Sequence, residues 1–223
     1  MPADRAAAVA RLRAALQGGA DIPDSAFDGL LPEHLRHEIS EAHWTPARTC
    51  RLAAGWLAPD ASARVLDVGA GVGKLSLIGA LSTGARFTGV EIRPHLVETA
   101  RALAAELSAG QASFVCADAV ALDWSGYDAL YFFNPFSEVL FPDDRRIDAS
   151  LPFGEAEQGL AMARVFAKLA ALREGTRVVV YHALGCRFPD GFHRARHEFS
   201  VHSTLELWVR GDGDLPRGLL DDG

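Results

Sequence analysis

Several things are scarce in this sequence, and each scarcity excludes a class of protein. Its three cysteines, Cys50, Cys116 and Cys186, are odd in number, widely spaced and form no C-x-x-C. Neither a disulfide framework nor a zinc knuckle is expected from them. No apolar run approaches the 18 or more residues of a membrane span. Positive charge is in deficit, with 22 Lys and Arg against 29 Asp and Glu, a net charge of −7. That balance disfavours generic binding to a phosphate backbone, which Lys and Arg carry, although it leaves room for a local basic groove. Lysine is almost missing: Lys74 and Lys168 stand beside 20 arginines, which with the many alanines reads as a composition bias. His193 and His197 lie four apart, but HRARH lacks the Glu of H-E-x-x-H, so no metal site is expected. The opening stretch carries acid at Asp4 and no unbroken apolar core. It reads as an amphipathic helix rather than a targeting peptide, and the expected compartment is a bacterial-type cytoplasm.

What is present is a chain of 223 residues, 49% hydrophobic, long enough to bury a core without a disulfide or metal staple. Residues 2–17 place Ala6, Val9, Leu12 and Leu16 at helical spacing, and Gly18-Gly19 ends the run. A polar loop with Pro23 and Asp24 follows, then a second helix over 32–41. In His43-Trp44-Thr45-Pro46, Thr45 suits the N-cap and Pro46 the first position of a third helix, 46–57. Beyond Pro59 the pattern changes. Short apolar runs at 63–68, 85–92, 112–118, 127–133 and 176–182 read as strands. Helical stretches fall at 73–81, 94–107 and 155–172. Strands alternating with helices at this spacing mean βαβ units and a parallel sheet. Two further strand-like runs within 196–210 lie so close together that they predict an antiparallel hairpin. The stretch 183–195, with Gly185, Pro189 and Gly191, is expected to be a loop. The expected division is a helical lid over 1–60, a sheet domain over 61–211 and a flexible tail over 212–223.

The sharpest feature is VLDVGAGVGKLSL, residues 65–77, where a strand hands over to a helix. Glycine lets such a loop turn tightly and lets a ligand approach its backbone. A phosphate-binding G-x-x-x-x-G-K-[ST] fails, because its first Gly falls on Val68 and its Ser/Thr on Leu75. A dinucleotide G-x-G-x-x-G fails as well, because its third Gly falls on Lys74. What remains is D-x-G-x-G-x-G, formed by Asp67, Gly69, Gly71 and Gly73. At the next strand end, Glu91 follows Asp67 by 24 residues. A carboxylate there suits a ribose diol, since it accepts two hydrogen bonds at once.

With these surroundings the segment resembles motif I of the class I S-adenosylmethionine (SAM) dependent methyltransferases. The resemblance spans about residues 64–182. It implies an α/β, Rossmann-like, mostly parallel seven-stranded sheet with a C-terminal antiparallel hairpin, here preceded by an N-terminal helical extension. It implies SAM as cofactor, with Asp67 and the three glycines shaping the methionine pocket and Glu91 at the ribose. Ile92 is expected on the adenine face, Asp118 at the adenine amino group, and the Ala119 N–H at a ring nitrogen. Thr45 of the Thr-Pro element is expected to bond the methionine carboxylate, with Trp44 shielding the sulfonium; a capped helix with a packing Trp explains the same residues equally well. Beyond the fourth strand, Asn134-Pro135-Phe136 resembles a shortened [ND]-P-P-[YF] motif of amino-group methyltransferases. The two carbonyl groups can orient an acceptor N–H, and Phe136 can form an apolar wall. GAGVGKLS followed by GVEIRP is also loosely similar to the Dot1-type protein-lysine methyltransferases. The expected acceptor is an amino nitrogen, such as that of a protein lysine, which an acidic enzyme suits. A nucleic-acid base, a small molecule, or a non-catalytic SAM-binding module remain the alternatives. His182, at the end of the fifth strand, is either a base in the acceptor pocket or a rim histidine.

Overall fold

The central parallel strands are short and apolar because both faces of the sheet are covered there. In the computed structural model, which describes residues 3–39, 45–133, 155–182, 188–201 and 203–211, β1 (Arg64–Val68), β2 (Arg86–Glu91), β3 (Ala112–Cys116), β4 (Ala129–Phe133) and β5 (Arg177–Tyr181) run parallel. β6 (Phe192–Ser200) and β7 (Ser203–Arg210) form the antiparallel hairpin, and β7 lies antiparallel to β5. The strand order is β3-β2-β1-β4-β5-β7-β6. The chain therefore builds outward from β1 in one direction and then returns to build outward from β4 in the other. The crevice between β1 and β4 is the switch point at which doubly wound sheets bind ligands.

Seven helices occur among the described residues: α1 (Ala3–Gln17), α2 (Asp24–Asp28), α3 (Glu33–Ile39), α4 (Ala47–Leu57), α5 (Lys74–Thr83), α6 (Pro94–Glu106) and α7 (Glu155–Ala170). Helix α5 is buried from Lys74 to Leu81. It lies between the sheet and the outer helices α1 and α4, so its apolar residues run right round the helix instead of forming a stripe. Val9, Leu12 and Leu16 of α1 join Leu77 and Ile78 of α5 and Val65 and Phe87 of the sheet in one core. On the opposite face, Val165 and Leu169 of α7 pack with Leu66, Leu130, Val178 and Trp124.

The structure departs from the sequence expectations in three places. The polar loop after α1 contains the short helix α2. It is held there because the Lys74 Nζ donates to Asp24 Oδ1 (2.5 Å) and to Asp28 Oδ1 (3.0 Å). Thr45 does not cap α4. The N-cap is Pro46, without a side-chain bond, and the Ala47 N–H donates instead to Asp24 Oδ1 at 2.8 Å. The hairpin begins at Phe192 rather than Arg196, because a bulge at Ala195 lets three more residues, Phe192, His193 and Arg194, pair with β7. The described part of the 183–195 stretch is thus loop over 188–191 and strand from 192.

Candidate active site

The loop joining β1 to α5 turns on three glycines with positive φ: Gly69 (74°), Gly71 (55°) and Gly73 (79°). They do different work. A Cβ on Gly73 would stand 2.4 Å from the Phe114 ring, and one on Gly89 of β2 would stand 2.6 Å from the same ring. These two glycines let Phe114 of β3 pack under the loop. At Gly69 and Gly71 a Cβ would meet nothing within 4 Å, so there the backbone itself borders open space. The loop is stitched to β2, with the Gly69 and Ala70 N–H groups both donating to the Val90 carbonyl (2.9 and 3.0 Å).

Asp67 and Glu91 flank this loop, and both are buried. Asp67 accepts the Ser76 hydroxyl at 2.7 Å and the Ser76 backbone N–H. It therefore caps the first turn of α5 from the strand, a task that Gly73 at the N-cap has no side chain to perform. Burial, with the Glu91 charge adding to it, pushes the Asp67 carboxyl up to about 7 in spite of the Ser76 bonds. Glu91 Oε2 accepts the Gly71 N–H at 3.1 Å. Its Oε1 accepts both the Arg93 backbone N–H (3.0 Å) and the Arg93 guanidinium (3.1 Å). Loop, strand end and α6 entry are thus tied through one carboxylate. Neither Ser76 nor Arg93 follows from the glycine motif; the only signal is a polar residue in the first turn of a helix for Ser76 and at the N-cap for Arg93.

Ile92 is 42% exposed beside this acid. Asp118, exposed after β3, accepts the Val120 N–H at 3.0 Å, the bond of a side-chain-closed turn. The Ala119 carbonyl accepts the Trp124 indole N–H at 2.9 Å. Asp67, Gly69, Gly71, Gly73, Glu91, Ile92, Asp118 and Ala119 therefore all lie at or just beyond the carboxyl ends of β1, β2 and β3.

Thr45 is buried, and its hydroxyl is 2.6 Å from the Tyr131 phenol. Tyr131 stands beside Asp67 across the β1–β4 ladder. Nothing in the sequence marks this partner, which reads there as one more apolar strand residue. Its neighbour Cys50 donates to the Thr45 carbonyl at 3.5 Å, and burial pushes the Cys50 thiol far above its ordinary value. At the end of β5, His182 has a φ of 59° and contacts the rings of Phe133 and Tyr181. A histidine held in the left-handed region at a strand end is an uncommon conformation. Asn134, Pro135, Phe136, His43 and Trp44 lie outside the described residues. Among the described residues no group of His, Cys, Asp and Glu could hold a metal ion. Nor is any described helix long and apolar enough to cross a membrane.

The comparisons agree with this geometry. Residues 65–149 match the family model described as a methyltransferase domain. No curated protein matches the sequence. Among solved structures, an RNA methyltransferase from Salinibacter ruber in complex with S-adenosyl-L-homocysteine is 24% identical, with a TM-score of 0.52 over 79% of this chain and 95% of that one. The magnesium protoporphyrin IX methyltransferase from Synechocystis PCC 6803 with bound SAM is 19% identical, with a TM-score of 0.55 over 92% of this chain and 97% of that one. TrmN from Thermus thermophilus is 19% identical, with a TM-score of 0.55 over 78% and 52%. At these identities the solved structures speak for the fold. The shared fold is the Rossmann-like one, and the stretch that matches a methyltransferase domain, residues 65–149, contains the glycine loop and the acid at the second strand end.

Proposed function

We propose that SAM lies across the carboxyl ends of β1, β2 and β3 and that the chain transfers its methyl group to an amino nitrogen, that of a protein lysine. The observation that carries the cofactor half is the pairing of an open glycine backbone at Gly69 and Gly71 with a buried Glu91 pinned to the Gly71 N–H. These residues fit the group: the glycine backbone leaves room for the methionine end, Glu91 offers an acceptor to the ribose, and Ile92, Asp118 and Ala119 border the adenine. Asp67 shapes the pocket from behind by fixing the start of α5, and Thr45 reaches the methionine carboxylate from the N-terminal side. In this reading residues 1–60 are the lid over a SAM domain of 61–211, with a tail over 212–223.

SAM supplies an electrophilic methyl on a sulfonium. The protein's part is to hold the acceptor in line and aim its lone pair, since proximity and alignment can account for much of the acceleration of such a step. Asn134 and the Pro135 carbonyl accept the acceptor's N–H groups, and Phe136 walls the pocket. The net charge of −7 supports a basic acceptor.

Calorimetry with S-adenosylhomocysteine and with NAD tests the cofactor; binding of NAD alone would sink the reading. Labelled SAM in a cognate cell extract, followed by fractionation, tests the acceptor. Label in protein lysine supports the proposal. Label in nucleic acid or small molecules replaces the acceptor, and none in any fraction leaves a SAM-binding module. Glu91→Ala is expected to weaken S-adenosylhomocysteine binding by about 1.5–3 kcal/mol. Asn134→Ala is expected to spare that binding and lower turnover.

A further inference from the structure

A free carboxylate can clasp a ribose diol with both oxygens, but Glu91 is not free. A carboxylate offers about four acceptor positions, two on each oxygen. Oε1 has both of its positions taken, one by the Arg93 backbone N–H at 3.0 Å and one by the Arg93 guanidinium at 3.1 Å. Oε2 has one taken, by the Gly71 N–H at 3.1 Å. The pair is well shielded, since the Arg93 and Glu91 side chains are 9% and 5% exposed. An ion pair in that setting is not loosened by solvent or salt as an exposed one is.

We infer that Arg93 is a specificity-determining residue that restricts Glu91 to a single ribose hydroxyl. Its guanidinium and backbone together withdraw Oε1 from recognition, and only the outward position of Oε2 receives a ligand O–H. The site therefore reads one hydroxyl of the 2′,3′ diol strongly and the other weakly. A bidentate Glu91 would require both. Arg93 is a positioning residue in this respect: it acts on the ligand through Glu91. The inference rests on the proposed placement of the cofactor ribose at Glu91.

The test uses the full-length wild-type chain and three probes: S-adenosylhomocysteine and its 2′-deoxy and 3′-deoxy analogues, each titrated by calorimetry. One deoxy analogue is expected to bind about tenfold to a hundredfold more weakly than the parent, the range of a hydrogen bond to a charged group. The other is expected to stay within about threefold, the scale of a weak contact. Equal losses for both analogues would show a two-oxygen clasp and overturn the inference, as would no loss for either. Failure of the parent to bind at all would instead remove the cofactor reading beneath it.

The Arg93→Met variant adds the assignment to the guanidinium. With one Oε1 position released, the tolerated analogue should become the poorer ligand by several fold relative to the parent. Unchanged discrimination in a variant with wild-type circular dichroism would free Arg93 of the role. If that variant does not fold, Arg93→Lys, which keeps the charge and loses the fork, is read in the same way.

Discussion

The two halves of the sheet, on either side of the β1–β4 crevice, are built on different principles. In the β3-β2-β1 half, the polar atoms that matter are bonded to near neighbours in sequence. Asp67 meets Ser76 nine residues on, and Glu91 meets Gly71 and Arg93. In the β4-β5-β7-β6 half, the partners are far apart in the chain. Thr45 meets Tyr131, Thr49 meets Ser200 at 2.7 Å, and the Tyr181 phenol donates to the Ser200 carbonyl at 2.9 Å. The first half takes its side-chain bonds from within one strand–loop–helix run, although α1 and α4 cover its helix α5. The second takes two of its bonds from Thr45 and Thr49, which belong to the N-terminal region, so those bonds form only when α4 docks on the sheet.

The largest effect should come from attacking the local half at its tightest point. Gly73→Ala places a Cβ against the Phe114 ring at a φ of 79°. It should cost about 3–5 kcal/mol in urea unfolding, from strain and overpacking together. Gly71→Ala faces open space and should cost only about 1–2 kcal/mol, the left-handed penalty. Equal costs would mean that Phe114 packing is not what Gly73 serves.

Lys74→Met breaks the tie between the halves' supports. It leaves Asp28, already raised by burial, and Asp24 without their cation. Because Asp24 is half exposed, the expected loss is discounted to about 2–3 kcal/mol. Separate melting of the N-terminal helices would sharpen the contrast further.

Smaller again is Tyr131→Phe, which removes the phenol from Thr45 at a cost of about 1–2 kcal/mol. The Thr45→Val, Tyr131→Phe double variant should cost no more than the worse single one, since both delete one bond. Full additivity in that cycle would show that the two hydroxyls serve different partners.

The gentlest probe is pH. The folded Asp67 carboxyl keeps its proton up to about 7, whereas in the unfolded chain it loses it near the ordinary value of 3.8. Between those values the folded state binds more protons than the unfolded state, so this residue makes stability fall as pH rises through that window. In Asp67→Asn the slope of unfolding free energy from about pH 4 to 7 should flatten relative to wild type. An unchanged slope would mean that Asp67 is charged in the folded protein.

Much of the local half is legible in the sequence. Asp67, the three glycines and Glu91 stand at fixed offsets within strand–loop–helix units, and the backbone geometry of such a unit is set by neighbours a few residues away. Even there, the occupancy of Glu91 by Arg93 is not legible, because a guanidinium two residues on can as easily point to solvent. In the other half, Tyr131 and Ser200 read as two more residues of strand-like runs. Their partners lie 86 and 151 residues away, and no spacing rule reaches so far. The cap expected at Thr45 fails for the same reason. Its hydroxyl meets Tyr131 instead, and Asp24, 23 residues upstream of Ala47, serves the α4 N-terminus while also holding Lys74.

The sequence by itself determined the alternation of strands and helices, the switch-point loop and the acids that flank it, because periodicity, glycine placement and short offsets are local. Only the tertiary structure decided what those acids are bonded to and which tyrosine holds Thr45. It also decided that the lone buried lysine beside Gly73 clamps α2 rather than a phosphate. Those choices depend on which long-range partner excludes water first, and burial is a property of the whole packed chain.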